Sequence, residues 1–190
     1  MKLILASASP RRKELMQDMN YAFDVIVSNC EEVFREDIPF SQAIEEVAYQ
    51  KAYDVWKEHQ DSIVIGCDTM VVYKQHKLGK PKNRQDAKEM LQMLSGNTHE
   101  VVSGVCVLSK QQCVKFHEIT KVNFYSLDDK MIEAYLDTLE YKDKAGAYGI
   151  QGIGKILVQG IEGDYFNVVG LPVAKLYREL QSVMEQADIV

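Results

Sequence analysis

The stretch LILASASPRR, residues 3–12, decides how the fold begins. A short apolar run that ends in small polar residues is typical of a buried strand leading into a loop. Ser9 is a suitable helix N-cap, and Pro10 fits the first helical position, where no N–H donor is needed. The stretch therefore predicts a strand, a serine loop and a helix in succession.

The start of that predicted helix carries a charge conflict. Arg11 and Arg12 stand in the first turn, where the free N–H groups and the positive end of the helix dipole favour an anion over a cation. A bound phosphate would remove the conflict. Two solvated arginines on a surface helix explain the pattern equally well, because the preference at stake is only about 0.3–1 kcal/mol.

The composition of the chain limits the functions open to it. The 190 residues, 46% of them hydrophobic, are enough for one globular domain spanning 1–190, with one lobe or two. The formal net charge of −6 argues against a nucleic-acid-binding protein, which normally has a basic face. No apolar stretch approaches the ~20 residues of a membrane span, so we expect no membrane partner. The apolar run before Ala6 is too short for a signal peptide.

The four cysteines form no C-x-x-C pair and show no zinc-ligand spacing. Cys67 and Cys106 lie in apolar runs and are expected in the core. Free thiols are typical of a reducing cytosol, so we expect a cytoplasmic protein.

Strand and helix patterns alternate along the chain, which predicts an α/β fold with a mixed sheet. The predicted strands cover residues 3–6, 21–27, 62–67, 70–73, 100–108, 114–125 and 156–158. The predicted helices cover residues 10–19, 39–59, 83–94, 128–139 and 172–184, and a polar loop is expected over 160–167. Strands 100–108 and 114–125 flank a polar turn and predict an antiparallel hairpin.

Two charged residues lie where apolar residues are expected. Lys51 shares the apolar face of the helix predicted over 39–59, so it either reaches along the surface to water, which is the commoner arrangement and the favoured alternative, or contacts a buried anion. Asp68 lies between two apolar strand segments, where a carboxylate needs a partner. It either caps backbone donors in a turn or acts as a metal ligand or general base. The second alternative is favoured because ligands in α/β folds gather at the carboxyl ends of strands.

Other polar segments leave alternatives open. Lys80, between Gly79 and Pro81, is either held in place by rigid neighbours or free on the surface. Four glycines within residues 146–154 predict close backbone approach to a ligand or to another segment. The four histidines show no ligand spacing and are expected on the surface, and no G-x-S-x-G elbow marks a serine nucleophile.

The out-of-place charges suggest one chemistry. Cations that bind phosphate oxygens, carboxylates that hold Mg²⁺ or Mn²⁺, and a carboxylate that orients water together suit phosphoryl chemistry with a divalent cation. If the strand ends converge, these groups line one cleft. The positive residues are Arg11, Arg12, Lys51 and Lys80, and the negative residues are Glu31, Glu32 and Asp68.

Six short motifs, in order along nearly the whole chain, resemble those of the Maf family of nucleoside triphosphate pyrophosphatases. They are SASPRRKEL (7–15), GCDT (66–69), GKP (79–81), LSGNTH (94–99), DKAGAYGIQG (143–152) and VVGLP (168–172). The resemblance implies a fold like that of inosine-triphosphate pyrophosphatases, in which helices flank a mixed twisted central sheet and a deep cleft separates two lobes. It also implies a homodimer and a metal-dependent hydrolase, using Mg²⁺ or Mn²⁺, that releases pyrophosphate and a nucleoside monophosphate to clean the nucleotide pool.

The resemblance also implies roles for individual positions. Asp68 matches the proposed proton acceptor, and with Glu32 it would bind the metal. Ser7, Arg12, Lys51 and Lys80 match residues that bind phosphate. Arg11, Thr69 and Gln151 match residues linked to base choice, and their combination is similar to the branch that acts on dTTP and UTP. Cys67 stands where alanine or serine is common, which is a small change.

One alternative function comes from a different class, a non-catalytic nucleotide-binding regulator of cell division or septum formation. It predicts tight nucleotide binding without product, even with metal. The presence of Asp68 together with all the cations favours the enzyme.

Overall fold

The computed structural model describes residues 2–74 and 76–188, with side chains as far as residue 186. Residues 1, 75, 189 and 190, which the predicted domain includes, lie outside the described residues. The strands are β1 Lys2–Ala6, β2 Asp24–Val25, β3 Ser62–Tyr73, β4 His76–Leu78, β5 Thr98–Leu108, β6 Cys113–Phe124 and β7 Val158–Glu162. The α-helices are α1 Pro10–Asp18, α2 Phe40–Trp56, α3 Arg84–Leu94, α4 Asp129–Asp137, α5 Tyr165–Val169 and α6 Val173–Asp188, and short 3₁₀ helices cover Ala145–Ala147 and Ile153–Leu157.

The strands form one mixed sheet that is flanked by helices, which confirms the predicted α/β fold class. The strand order is β2-β1-β3-β5-β6-β7, and β4 pairs with β3. Strand β1 is parallel to both β2 and β3, whereas β4 is antiparallel to β3 and β7 is antiparallel to β6. Strands β5 and β6 are neighbours joined by the turn at 109–112, in which the Ser109 N–H donates to the Gln112 carbonyl over 2.9 Å. The predicted hairpin is therefore confirmed.

Four predicted elements are wrong in extent or type. The strand expected over 21–27 is reduced to Asp24–Val25, which pair with Ile4 and Leu5 of the short strand β1. Helix α2 ends at Trp56 rather than near His59, because the chain then closes in a turn with the His59 N–H on the Trp56 carbonyl. Residues 156 and 157, expected in a strand, close a 3₁₀ helix, and the predicted loop over 160–167 contains the end of β7 and the start of α5.

The chain divides into two compact units. The first comprises Met1–Asp68, Ser103–Glu118 and Gly170–Val190, and the second comprises Thr69–Val102 and Ile119–Val169. Cys67 and Cys106 are buried in the first unit, as predicted, and all four cysteines are free thiols. One apolar cluster of the first unit joins the sheet to helix α2, and its buried members are Ile4, Ala6, Ala48, Ala52, Val55, Val64, Cys106 and Leu108.

The second unit has its own core. Helices α3 and α4 pack there with the aromatic residues Phe124, Tyr135 and Tyr148, and all of these belong to one buried cluster. The largest aliphatic members of the cluster that are fully buried are Leu91, Leu94, Ile132, Leu136 and Leu157. Among the helices in the described part of the chain, we find none whose length and apolarity would let it cross a membrane.

Candidate active site

Lys51 places its ammonium between two carboxylates of the first unit. Its Nζ lies 2.7 Å from Asp68 Oδ1 and 2.9 Å from Glu32 Oε1. The side chains of Lys51 and Asp68 are only 13% and 16% exposed, whereas Glu32 is 53% exposed. The favoured alternative, that Lys51 reaches along the surface to water, is therefore wrong, and the structure shows its contact with a largely buried anion.

A glycine on β3 explains how Lys51 reaches Asp68. A Cβ at Gly66 would lie 2.1 Å from the Ala48 carbonyl oxygen and 2.8 Å from the Ala52 nitrogen, so only glycine lets α2 approach the strand this closely. Lys51 follows Ala48 by three residues and therefore lies on the same face of the helix. Asp68 follows Gly66 by two residues and therefore lies on the same face of the strand.

Asp68 also lies near the end of the parallel part of the sheet. The last register pair between β1 and β3 is Ala6 with Gly66, and β3 continues through Asp68 to Tyr73. The less favoured alternative, that Asp68 caps a turn, does not hold, because Asp68 lies within the continuous strand β3. Ser7 follows Ala6 directly, so Ser7 and Asp68 both come just after the parallel pairing ends, where ligands of α/β proteins usually bind.

The charge state of Lys51 follows from its surroundings. Burial lowers the pKa of Lys51, but the attraction and hydrogen bond of Asp68 and the hydrogen bond of Glu32 outweigh burial and raise the pKa above its ordinary value. Lys51 is therefore a protonated donor at neutral pH and is unsuited to act as a general base.

The Arg12 guanidinium ties three segments of the first unit together. Its Nε donates to the Gly170 carbonyl over 2.9 Å, and its Nη1 donates to the Cys67 carbonyl over 2.9 Å and to Ser7 Oγ over 3.3 Å. Arg12 therefore holds the residue just before Asp68 and connects it to the serine loop. The local charge conflict predicted for this arginine is relieved in part by backbone carbonyls.

The serine loop has the predicted local structure. Ser9 is the N-cap of α1, with its hydroxyl accepting from the Arg12 N–H over 3.4 Å, and Pro10 is the first helical residue. The Ser7 hydroxyl, which is buried, accepts from the Ser9 N–H over 3.2 Å. Ser7 is thus fixed by hydrogen bonds from the backbone and from Arg12, and Arg11 beside it is half-buried.

The remaining predicted residues belong to the second unit. Thr69 is half-buried on β3, and Gln151 is exposed within the glycine-rich stretch. The Lys80 side chain is 69% exposed, and its Nζ lies 4.0 Å from Asp143 Oδ1. The structure thus brings Ser7, Arg12, Glu32, Lys51 and Asp68 together in the first unit, and it describes Thr69, Lys80 and Gln151 within the second.

The glycine-rich stretch wraps around a carboxylate that the sequence did not mark. Glu140 Oε2 accepts from the Ile153 N–H over 2.7 Å, and Oε1 accepts from the Gly154 N–H over 3.0 Å. The close approach predicted from the glycines is here to another segment of the chain. The donors are backbone groups, which every residue type offers. No sequence pattern therefore singles out Glu140 from the 28 acidic residues of the chain as the one that contacts this stretch.

One predicted surface residue is in the core. His99 is 1% exposed, and its Nε2 lies 2.8 Å from the Tyr148 hydroxyl. Its ring packs edge-on against Phe124 at 4.9 Å and Tyr148 at 5.4 Å. Burial lowers the pKa of His99 to about 4, so the ring is neutral at physiological pH. The prediction of four surface histidines is thus wrong for His99, since its polar neighbours in sequence concealed an aromatic pocket.

The donor set near Lys51 fits a hard divalent cation. Glu32 and Asp68 supply carboxylate oxygens, and Mg²⁺ is commonly held by one or two carboxylates, with waters and substrate phosphates as the other ligands. Within residues 2–74 and 76–188, no group of three or more His, Cys, Asp or Glu side chains is arranged to hold a metal ion. A cation at these two residues would therefore depend on the substrate for part of its coordination.

Comparison with known proteins gives consistent matches. A family model described as Maf-like protein matches residues 2–183. A dTTP/UTP pyrophosphatase of Bacillus cytotoxicus is 52% identical over 180 residues, covering 95% of this chain and 94% of that protein. Proteins of the same name from Bacillus cereus and Bacillus mycoides are 50% and 49% identical, with the same coverage. The solved structure of the Staphylococcus aureus Ham1 protein aligns with a TM-score of 0.47 and 13% identity, covering 65% of this chain and 72% of that one.

Proposed function

The chain belongs to the Maf-like protein family, and from that membership we propose that it hydrolyses dTTP and UTP to the nucleoside monophosphate and pyrophosphate. The observation that carries the proposal is the Lys51 ammonium shared by Asp68 and Glu32 in the first unit. In this proposal Asp68 is the carboxylate that orients the attacking water, and Asp68 and Glu32 are the oxygen ligands of a divalent cation. The substrates are those in the names of relatives about 50% identical over 95% of the chain.

The reaction is an attack of water on the α-phosphorus. The bond from the water oxygen to the α-phosphorus forms, the bond from the α-phosphorus to the bridging oxygen breaks, and pyrophosphate leaves with that oxygen. Because Lys51 occupies Oδ1 of Asp68, the other oxygen, Oδ2, takes the proton from the attacking water. Catalysis of phosphoryl transfer is mostly positioning and charge stabilisation, so the fixed geometry of Asp68 is the main contribution.

The first unit supplies the other groups that this reaction needs. The protonated Lys51 keeps Asp68 in place and stabilises negative charge on the phosphates. Mg²⁺ or Mn²⁺, held by Glu32 and Asp68 when bound, would neutralise phosphate charge and orient the substrate. Arg12 fixes the Cys67 carbonyl and Ser7, and thereby the backbone that carries Asp68.

The residues assigned by resemblance complete the proposal. Ser7, Arg12 and Lys80 are assigned to the phosphates, and Arg11, Thr69 and Gln151 to the base. Thr and Gln side chains offer both donors and acceptors, which suits the edge of a pyrimidine. We further expect a homodimer in the cytoplasm that cleans the nucleotide pool and binds neither nucleic acid nor membrane.

A nucleotide panel tests the function. Canonical and modified nucleoside triphosphates are incubated with Mg²⁺ or Mn²⁺, and monophosphate with pyrophosphate is measured separately from diphosphate with phosphate. We expect pyrophosphate mainly from dTTP and UTP. Diphosphate and phosphate as products would contradict the cleavage point. Tight nucleotide binding without product would replace the enzyme with the regulator of cell division.

A further inference from the structure

In the second unit, the Glu140 carboxylate accepts two hydrogen bonds from the Gln151 loop, defined as residues 149–154. We infer that Glu140 is a positioning residue that fixes this loop and thereby sets the selectivity for the base. The inference rests on the proposed function, because it gives Gln151 a base to recognise.

The contact is bidentate and specific. Each carboxylate oxygen of Glu140 accepts one loop N–H, with Ile153 on Oε2 at 2.7 Å and Gly154 on Oε1 at 3.0 Å. The Tyr135 hydroxyl, from helix α4, donates a longer bond of 3.5 Å to Oε1. Bonds to an ionised acceptor are roughly twice as strong as bonds between neutral groups. Glu140 therefore holds the two amides that lie two and three residues after Gln151.

The glycines of the loop are required by this packing. A Cβ at Gly152 would lie 2.1 Å from Glu140 Oε2 and 2.4 Å from its Cδ. The φ of Gly152 is −88°, outside the left-handed region, so lack of space explains the glycine. A Cβ at Gly154 would lie 2.6 Å from the Gly149 carbonyl oxygen, so the two ends of the loop are in contact.

These contacts determine where Gln151 stands. Its side chain is exposed, so its direction depends on where the backbone of the loop is held. A site that reads a base by hydrogen bonds loses discrimination when its polar groups are displaced, because the preferred base then leaves donors or acceptors unpaired. Displacement by about 1 Å costs up to roughly 100-fold in rate. Loss of the Glu140 contact is thus expected to affect selectivity more than folding.

The test compares Glu140→Gln with a matched control. Glutamine keeps the shape of the side chain but presents an N–H₂ group to one of the two loop donors. We expect the ratio of kcat/KM for UTP to kcat/KM for GTP to fall about 10–100-fold. In the nucleotide-free protein, amide hydrogen exchange at Ile153 and Gly154 should be faster than in the wild type.

The control is Glu133→Gln, on helix α4 of the same unit. Glu133 bonds to Arg84 and Lys88, each over 2.6 Å, so this variant also loses ion pairs. It should leave both the UTP to GTP ratio and the exchange at Ile153 and Gly154 unchanged. A fall of the ratio in both variants would show a general effect of destabilisation and would overturn the inference.

A second variant tests the same contact from the loop. Gly152→Ala puts a methyl group where the carboxylate stands, and the flexible end of Glu140 must move away. It should lower the UTP to GTP ratio as Glu140→Gln does, and the double variant should show little further loss, since both break one interaction. If the losses in the UTP to GTP ratio were instead additive in the double variant, the two residues would act separately, and the inference that Glu140 acts through the Gln151 loop would be overturned.

The outcomes separate this inference from the proposed function. A wild-type protein that releases no pyrophosphate from any nucleotide contradicts the function itself. An active and selective wild type, with Glu140→Gln of unchanged selectivity or unchanged exchange at Ile153 and Gly154, overturns the role of Glu140 alone.

Discussion

The Lys51 ammonium donates a 2.7 Å hydrogen bond to Asp68 Oδ1, and both side chains are largely buried. Helix α2 can bring Lys51 there because β3 has glycine at position 66, directly beneath the helix backbone. The position of Asp68, the proposed proton acceptor, therefore depends on the packing of α2 against β3 in the core of the first unit. Changes to either residue should affect stability and turnover in different proportions.

Asp68→Asn should remove turnover while leaving the fold and nucleotide binding largely intact. Asparagine keeps an oxygen that can accept from Lys51, but its amide cannot take a proton from water. Loss of a general base typically lowers the rate about 10²–10⁴-fold. Pyrophosphate release measures the first effect, and calorimetric titration with UTP measures the second.

Asp54→Asn is the control for Asp68→Asn. Asp54 lies in the same unit and also has a lysine partner, Lys57, at 2.8 Å, as well as the Asn29 N–H at 2.9 Å. It should retain turnover close to that of the wild type. Turnover near the wild-type level in Asp68→Asn itself would exclude Asp68 as the proton acceptor.

Lys51→Met should destabilise the protein and lower turnover, although methionine extends the apolar face of α2. The substitution leaves Asp68 without its charged partner, and bonds to charged groups contribute about 1.5–3 kcal/mol each. We expect a loss of about 1–3 kcal/mol in the free energy of unfolding at neutral pH. The control variant is Lys57→Met, since Lys57 also pairs with a carboxylate, that of Asp54, but at an exposed site. Its free energy of unfolding should change by no more than about 0.5 kcal/mol. A more stable and fully active Lys51→Met would show that Lys51 serves only the helix face.

The stabilisation by Lys51 should also depend on pH. Its folded-state pKa lies above the ordinary value of 10.5, so the contribution is fully present below the unfolded-state pKa and is lost as pH rises through the folded-state pKa. The difference in unfolding free energy between wild type and Lys51→Met should therefore be constant near neutral pH and shrink above about pH 10.5. Urea unfolding of both proteins at neutral and alkaline pH measures that difference.

Local chemistry explains what the sequence predicted well. Ser9 and Pro10 are typical of a helix start, and the two apolar segments at 62–67 and 70–73 were each recognisable as strand, although they form one continuous β3 that includes Asp68. The need of Asp68 for a partner followed from the cost of burying a carboxylate. Which residue would be that partner depended on a helix packing at Gly66, and a single sequence does not show that packing.

Contacts with backbone groups explain most of what the sequence missed. Arg12 donates to the carbonyls of Gly170 and Cys67, and Glu140 accepts from the amides of Ile153 and Gly154. Every residue type offers such groups, so no motif identifies them in advance. His99 was missed for a related reason, because its pocket is formed by Phe124 and Tyr148, which lie far from it in sequence.

Arg12→Lys should destabilise the first unit and lower turnover, although lysine keeps the positive charge. A lysine ammonium cannot reproduce the planar arrangement of donors that reaches Gly170, Cys67 and Ser7 together. We expect a loss of about 1–3 kcal/mol in the free energy of unfolding. Arg178→Lys is the control, since Arg178 also donates to a backbone carbonyl, that of Ala174 over 2.7 Å, but at an exposed site. Equal, small losses in both variants would show that Arg12 is not a structural tie.

His99 should make the protein less stable in mild acid. Its folded-state pKa is about 4 and its ordinary value is 6.5, so between these values the unfolded chain binds more protons than the folded one. Stability should therefore fall as pH decreases from about 6.5 toward about 4. At pH 5 the expected loss from this group is about 2 kcal/mol, since one pKa unit corresponds to about 1.4 kcal/mol.

His99→Gln removes the titration but keeps a side chain able to bond to the Tyr148 hydroxyl. Urea unfolding at pH 7 and pH 5 should thus show a smaller decrease in His99→Gln than in wild type, whereas the exposed-site variant His76→Gln should follow the wild type. Parallel decreases in all three proteins would assign the acid sensitivity to other groups and place His99 in contact with water in the folded state.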